Sequence, residues 1–303
     1  MHLKRFTDRL SESGVGYKTY EPMSLHTTFG VGGNADVFVM PESADEIVAV
    51  LKAAREFDVP VLVVGNGSNL LVSDDGIEGA VIRTTGLSDI SVDGNTLTAL
   101  CGAKLSALCL AAESNSLTGL EFAYGIPGTV GGALFMNAGA YGGEMKDCVV
   151  SARYIDDDLT VKTAKAEELD LGYRTSAFQK NGSTVVSVTV GLKNGDKDEI
   201  RRKMDEVTAR RISKQPLDKR SAGSTFKRPE GNYAGTLIEK CGLKGKRIGG
   251  ASVSEKHAGF IVNDGGATCK DILELISTVR NEVFEKTGYL LEPEVRFEGR
   301  RPK

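Results

Sequence analysis

The chain has 303 residues, with 38 Lys and Arg against 41 Asp and Glu for a formal net charge of −3; 40% of the residues are hydrophobic and 6% aromatic, with no Trp. The apolar content is too high and the net charge too small for a disordered chain, no apolar run is long enough to span a bilayer, and the 36 glycines lack the three-residue period of collagen. What remains is a chain of two or three domains, each able to bury a core.

The N-terminal stretch, Met1-His2-Leu3-Lys4-Arg5-Phe6, lacks the apolar segment and small-residue cleavage site of a signal peptide, so a cytoplasmic protein is expected. Residues 36–40 read as a strand stopped by Pro41. Ser43 and Glu46 match a capping box, and Ile47, Val50, Leu51, Ala54 and Phe57 follow at helical spacing. Residues 61–64 form a short apolar strand, giving a β-α-β opening as in an α/β domain. Short strands are then expected at 80–83, 90–92 and 96–101, a small-residue helix at 103–113, and strands at 148–155 and 184–190. A charged helix spans 196–214, ends at Pro216, and marks a domain boundary. The last third holds a helix around 233–241, a strand at 259–262, and an amphipathic helix at 268–286 with the cap pair Thr268 and Asp271, the stripe Ile272, Ile276, Val279 and Val283, and the stop Gly288. A final strand is predicted over 289–297. The five cysteines (Cys101, Cys109, Cys148, Cys241, Cys269) are odd in number and form no C-x-x-C, so buried or free thiols are expected in place of disulfides or a metal site.

Glycine makes up about 12% of the chain against a usual value near 7%, and the excess is concentrated. Gly65-Asn66-Gly67-Ser68-Asn69 follows an apolar strand directly, where backbone N–H groups can face phosphate oxygens. It is neither a Rossmann fingerprint nor a P-loop, and a plain turn reads equally well. Gly125-Ile126-Pro127-Gly128-Thr129-Val130-Gly131-Gly132 continues through Asn137-Ala138-Gly139-Ala140-Tyr141-Gly142-Gly143. Its interleaved apolar residues argue against a flexible linker. A third segment, Thr28-Phe29-Gly30-Val31-Gly32-Gly33, precedes the first strand. Three bare-backbone segments imply an extended, phosphate-bearing ligand such as a dinucleotide.

Charge is uneven. Residues 201–247 hold 14 Lys and Arg against 5 Asp and Glu, a local +9 that leaves −12 for the rest. Such a stretch marks either an anion site or a solvated face. Nucleic acid is disfavoured, because only Phe226 and Tyr233 are available there for stacking.

The three glycine segments, together with Tyr173-Arg174-Thr175-Ser176-Ala177-Phe178-Gln179, Gly223-Ser224-Thr225-Phe226-Lys227 and Leu291-Glu292-Pro293-Glu294-Val295-Arg296, resemble the UDP-N-acetylenolpyruvoylglucosamine reductase family, in order from about residue 24 to 298. The resemblance implies an α+β chain with the vanillyl-alcohol-oxidase-like FAD fold: two α+β FAD-binding subdomains (1–84 and 85–200) and a C-terminal α+β substrate domain (201–303), with the final strand 289–298 able to pack back on the FAD domain. It implies non-covalent FAD, NADPH as hydride donor, and reduction of UDP-N-acetylglucosamine enolpyruvate in peptidoglycan synthesis. The short gap between Gln179 and Ser224 resembles the type lacking a substrate-capping tyrosine loop. A monomer without metal, nucleic acid or membrane partner is expected.

By the same resemblance Gly65, Asn66, Gly67, Ser68, Asn69, Gly125, Pro127, Gly128, Thr129, Gly131, Gly132, Asn137, Gly139 and Ala140 are the cofactor-binding candidates. Arg174 is the candidate carboxylate clamp, Ser224 the proton donor, and Glu294 the group that orients or protonates the developing enol. Tyr173, Lys227 and Arg228 are the substrate-binding candidates, Arg228 standing where several relatives have Asn. The residues alone allow plainer readings: a surface ion pair for Arg174, a turn or cap serine for Ser224, an outward-facing strand carboxylate for Glu294. His26 and His257 read as structural. Another FAD oxidoreductase of the same fold, or a nucleotide-binding protein without activity, are the alternatives.

Overall fold

The computed structural model describes residues 2–300. The chain is mixed α+β and divides by its internal contacts into two units, the first made of residues up to Lys18, Val37–Asn66 and Gly79–Arg210, the second of Thr19–Asp36, Gly67–Glu78 and residues from Arg211 on. No helix among the described residues is long and apolar enough to cross a membrane.

In the first unit the β-α-β opening forms as expected. Strand Asn34–Val39 leads into helix Ala44–Glu56, then strand Val61–Val64, which pairs in parallel with residues 80–83 of strand Ile77–Arg83. The helix buries Ile47, Val50, Ala53 and Ala54 on one face. Its cap differs from the predicted box: the Ser43 hydroxyl accepts from the Glu46 N–H at 3.1 Å, but the Glu46 carboxylate accepts from Glu42 N–H instead of closing on Ser43. The helix His2–Glu12, which the sequence reading passes over, adds Phe6 and Leu10 to the same core, both wholly buried. Each such side chain contributes about 1.5–3 kcal/mol.

The rest of this unit is built on a five-stranded antiparallel sheet in the order Val161–Lys165, Val149–Ile155, Thr184–Gly191, Thr96–Leu100, Ile90–Asp93. Helix Leu105–Ser114 and the short helix Val130–Phe135 pack on it. The charged helix Lys197–Lys214 buries only Ile200, Met204 and Val207, an i, i+4, i+7 stripe that leaves its charges in water. This helix and strand Thr184–Gly191 take up much of the chain between Gln179 and Ser224.

The second unit packs Phe29, Val31, Leu71, Ile238, Leu275, Val279 and Leu291 into one cluster. Its long helix, Cys269–Thr287, has both halves of the predicted box (Asp271 N–H to the Thr268 hydroxyl, Thr268 N–H to the Asp271 carboxylate) and stops at Gly288 with φ +75°. Strands Arg247–Ile248, Ala251–Val253 and Ile261–Asn263 form an antiparallel sheet. The final strand is shorter than predicted. Only Arg296–Glu298 pairs in a sheet, in parallel with Leu70–Val72, and residues 289–295 lie outside it. Pro293 has no N–H for a ladder, and the residues around it take isolated bonds to the 225–227 segment instead.

All five cysteines are free, and four of them are buried. Burial pushes the Cys101 thiol up to about 11 and those of Cys148 and Cys269 to about 12, and raises Cys109 further. At pH 8 these four are essentially all thiol, the unreactive form. Iodoacetamide at that pH therefore labels half-buried Cys241 in the folded protein and the other four only after unfolding, as peptide mapping reads directly. Rapid native labelling at any of the four overturns this.

Candidate functional site

The first two glycine loops meet. A Cβ on Gly65 would lie 2.3 Å from the Thr129 hydroxyl, so only glycine allows this approach. The Asn66 side-chain amide donates to Pro127 O at 2.8 Å. Thr129 is buried and caps helix Val130–Phe135, its hydroxyl accepting from Gly132 N–H at 3.3 Å. Inside that helix Gly131 rests on the sheet, its N–H donating to Cys101 O at 2.8 Å and its missing side chain leaving room for Cys101. Gly131 is thus needed for close helix–strand packing.

Asn137 is wholly buried, and its amide is committed to protein groups. Nδ2 donates to the Glu144 carboxylate (2.8 Å) and Gly172 O (2.9 Å), and Oδ1 accepts from Lys146 N–H (2.9 Å). It braces the hairpin in which Gly139–Ala140 pairs with Gly143–Glu144 across Tyr141 and Gly142. Arg174 attaches to this hairpin through Nη2, which donates to Gly139 O at 3.1 Å. Arg174 has φ +55°, a left-handed conformation that costs a non-glycine residue about 1–2 kcal/mol. Gln179 secures it by donating to both Arg174 O (3.0 Å) and Phe135 O (2.7 Å). The half-exposed Tyr173 ring lies 5.1 Å from the guanidinium carbon. Strain of this kind is found often at functional positions, and Asp58 and Asp170 share the left-handed φ here.

In the second unit Gly67 has φ +64°, and a Cβ there would stand 2.0 Å from His26 O. Thr28 N–H donates to Gly67 O at 3.2 Å, and the Thr28 hydroxyl is buried without a hydrogen-bond partner. A buried hydroxyl without a partner calls for an explanation, and its place beside the Gly67 turn is compatible with a polar ligand. The sequence names Thr28 only as the start of that segment; its buried hydroxyl is visible in the structure alone. Asn69, the last residue of the loop, donates through Nδ2 to Glu294 O at 3.0 Å.

Ser224 is exposed, directly after Gly223 at φ +76°, while Thr225 and Phe226 behind it are buried. Thr225 N–H donates to Gly259 O and Thr225 O accepts from Glu294 N–H, both at 2.8 Å, and Lys227 N–H donates to Glu292 O at 2.8 Å. The Ser224 and Glu294 segments are therefore laced together. Lys227 pairs with the Glu292 carboxylate, and Arg228 stacks with its guanidinium carbon 4.0 Å from the Tyr233 ring centroid. His257 packs on Phe260 and accepts through Nδ1 from Gly259 N–H at 3.1 Å; burial lowers its pKa. His26 pairs with Glu21 at 2.9 Å.

The local +9 is smaller in space than in sequence. Arg201 pairs with Glu113, Lys219 and Arg247 with Asp264, Lys227 with Glu292, and Lys246 with Glu282, all acids from outside the stretch. The Ser252 hydroxyl, then Lys219 and Arg247, hold the Asp264 carboxyl below its usual range.

Residues 35–165 match the family described as FAD binding domain, and residues 215–298 match UDP-N-acetylenolpyruvoylglucosamine reductase, C-terminal domain. A UDP-N-acetylenolpyruvoylglucosamine reductase of Clostridium perfringens is 52% identical over 279 residues, 92% of each chain. One from Latilactobacillus sakei is 50% identical over 287 residues, 95% of each. The crystal structure of UDP-N-acetylenolpyruvylglucosamine reductase from Thermus caldophilus superposes with a TM-score of 0.81 at 38% identity, covering 94% of this chain and 98% of that one.

Proposed function

The chain belongs to the UDP-N-acetylenolpyruvoylglucosamine reductase family, and from that premise we propose that it reduces the enolpyruvyl ether of UDP-N-acetylglucosamine to UDP-N-acetylmuramate with NADPH, a step of peptidoglycan precursor synthesis. It is an FAD-dependent oxidoreductase of the vanillyl-alcohol-oxidase-like fold. The observation that carries the reading is the bond from Glu294 N–H to Thr225 O, which ties one proton-handling group to the residue beside the other.

FAD, held there, would supply the hydride chemistry that the enolpyruvyl double bond needs. Gly65, Asn66, Gly67, Ser68, Gly128 and Thr129 are the residues that would hold it, with the Thr28 hydroxyl available to its diphosphate. Gly125 and Gly139 would leave bare backbone along it, with only a methyl group at Ala140, and Gly132 and Asn137 would shape that surface.

The substrate is an α,β-unsaturated carboxylate, so negative charge grows on the α carbon and spreads into the carboxylate. The Arg174 guanidinium is permanently charged and offers a planar fork to that group. Its backbone carbonyl is held by Gln179, which limits the reorganisation left to the side chain. Ser224 delivers the proton to the α carbon from a hydroxyl that no packing obstructs. Glu294 orients or protonates the enol oxygen. Tyr173, Lys227 and Arg228 face the sugar diphosphate, with Lys227 exchanging Glu292 for a phosphate.

Stopped-flow measurement of NADPH oxidation with and without UDP-N-acetylenolpyruvoylglucosamine tests the assignment. Turnover of NADPH matched mole for mole to the enolpyruvyl substrate is expected; oxidation indifferent to that substrate overturns it.

A further inference from the structure

Glu294 lies outside every strand, yet its peptide is held from both sides. Its N–H donates to Thr225 O at 2.8 Å, and its carbonyl accepts from Asn69 Nδ2 at 3.0 Å. Asn69 is itself immobilised. Its own carbonyl accepts from Arg296 N–H at 3.0 Å, and the next residue, Leu70, begins the parallel pairing with Arg296. The side chain therefore bridges the end of the glycine loop to the Glu294 peptide: Asp would set a second acceptor against the Glu294 carbonyl, and Ala would leave that carbonyl without this donor.

We infer that Asn69 is a positioning residue for Glu294, fixing through the peptide carbonyl the direction in which the Glu294 carboxyl leaves the backbone. The inference rests on the proposed role of Glu294. It reassigns Asn69 from cofactor ligand to the brace between the cofactor loop and the proton-handling segment. A displacement of about 1 Å at a reacting group costs on the order of 10²-fold in rate, so a small rotation of the Glu294 peptide on loss of this bond is expected to show in the rate.

The test uses the FAD-loaded protein and the variants Asn69→Ala, Asn69→Asp, Glu294→Gln and the double variant Asn69→Ala/Glu294→Gln. The expected result is that Asn69→Ala and Asn69→Asp slow reoxidation by the enolpyruvyl substrate by about 10²-fold, at least tenfold more than they slow reduction by NADPH. The double variant is then no more than a few-fold slower than Glu294→Gln, because residues acting in series are not additive. Hydrogen exchange followed by mass spectrometry reports the anchor without any turnover: protection falls over residues 290–296 in both Asn69 variants. If Asn69 instead serves FAD, titration of the apo-protein shows weakened FAD binding and both half-reactions fall together, which overturns the inference. If Glu294→Gln is severe and the Asn69→Ala effect multiplies onto it in full, the inference fails while the role of Glu294 stands. If Glu294→Gln itself is harmless, both fail.

Discussion

Replacing Ser224 by alanine slows reoxidation of the NADPH-reduced protein by the enolpyruvyl substrate about 10²–10⁴-fold more than it slows reduction by NADPH, the usual contribution of a positioned general acid. The structure makes this substitution clean. Ser224 is exposed, whereas the residues that anchor the segment are Thr225 and Phe226, both buried and both untouched by the change. Folding and substrate binding should survive, so the loss reports chemistry. A serine hydroxyl is a very weak acid, and the nearest candidate helper in sequence, Lys227, has its charge shared with Glu292. A relative loss below tenfold, or equal loss in the two half-reactions, refutes the acid role.

Gly67→Ala destabilises the protein by about 2–5 kcal/mol and empties it of flavin. Two costs add. A left-handed φ of +64° costs a residue with a side chain about 1–2 kcal/mol. The new Cβ would also stand 2.0 Å from His26 O, and forcing extra volume into a packed site costs about 1–3 kcal/mol. The obstacle is a backbone oxygen, which cannot swing aside. Against a total stability of about 5–15 kcal/mol, this is a large fraction. Gly14→Ala is the control: φ is +72°, but no atom lies within 4 Å of its Cβ, so only the first cost applies. Urea unfolding of the two variants separates the terms. Equal midpoint shifts would show that the collision with His26 O is relieved at no cost.

Local signals were legible where they are complete within a few residues. Thr268, Asp271 and Gly288 announce both ends of the long helix because cap chemistry is a matter of neighbouring residues. The glycine segments were legible as backbone that must approach something, and Gly65 does meet Thr129. What the sequence conceals is long-range pairing. The strand over 289–297 failed because alternation cannot tell which partner, if any, a segment finds; residues 292–295 bond to 225–227 and only Arg296–Glu298 joins a sheet. The basic stretch was misleading for the same reason, since Glu113, Asp264, Glu282 and Glu292 return from elsewhere to pair with it. Asn137 is a cofactor-binding candidate through the resemblance alone, and nothing nearby in sequence reveals that Gly172 O and Glu144 occupy its amide donors.

The parallel pairing of Leu70–Val72 with Arg296–Glu298 also sets a schedule. A ribosome releases the loop at Gly67–Asn69 long before the partner that steadies it, since Asn69 and Glu294 are 225 positions apart. At about 5–20 residues per second, the nascent loop waits on the order of ten seconds or more with an unpaired strand edge beside it. The described residues up to Lys18, with 37–66 and 79–210, are all made by then, ahead of the final segment of the second unit. The turn at Gly67–Asn69 therefore gains its last partners only when the segment around Glu294 has been made.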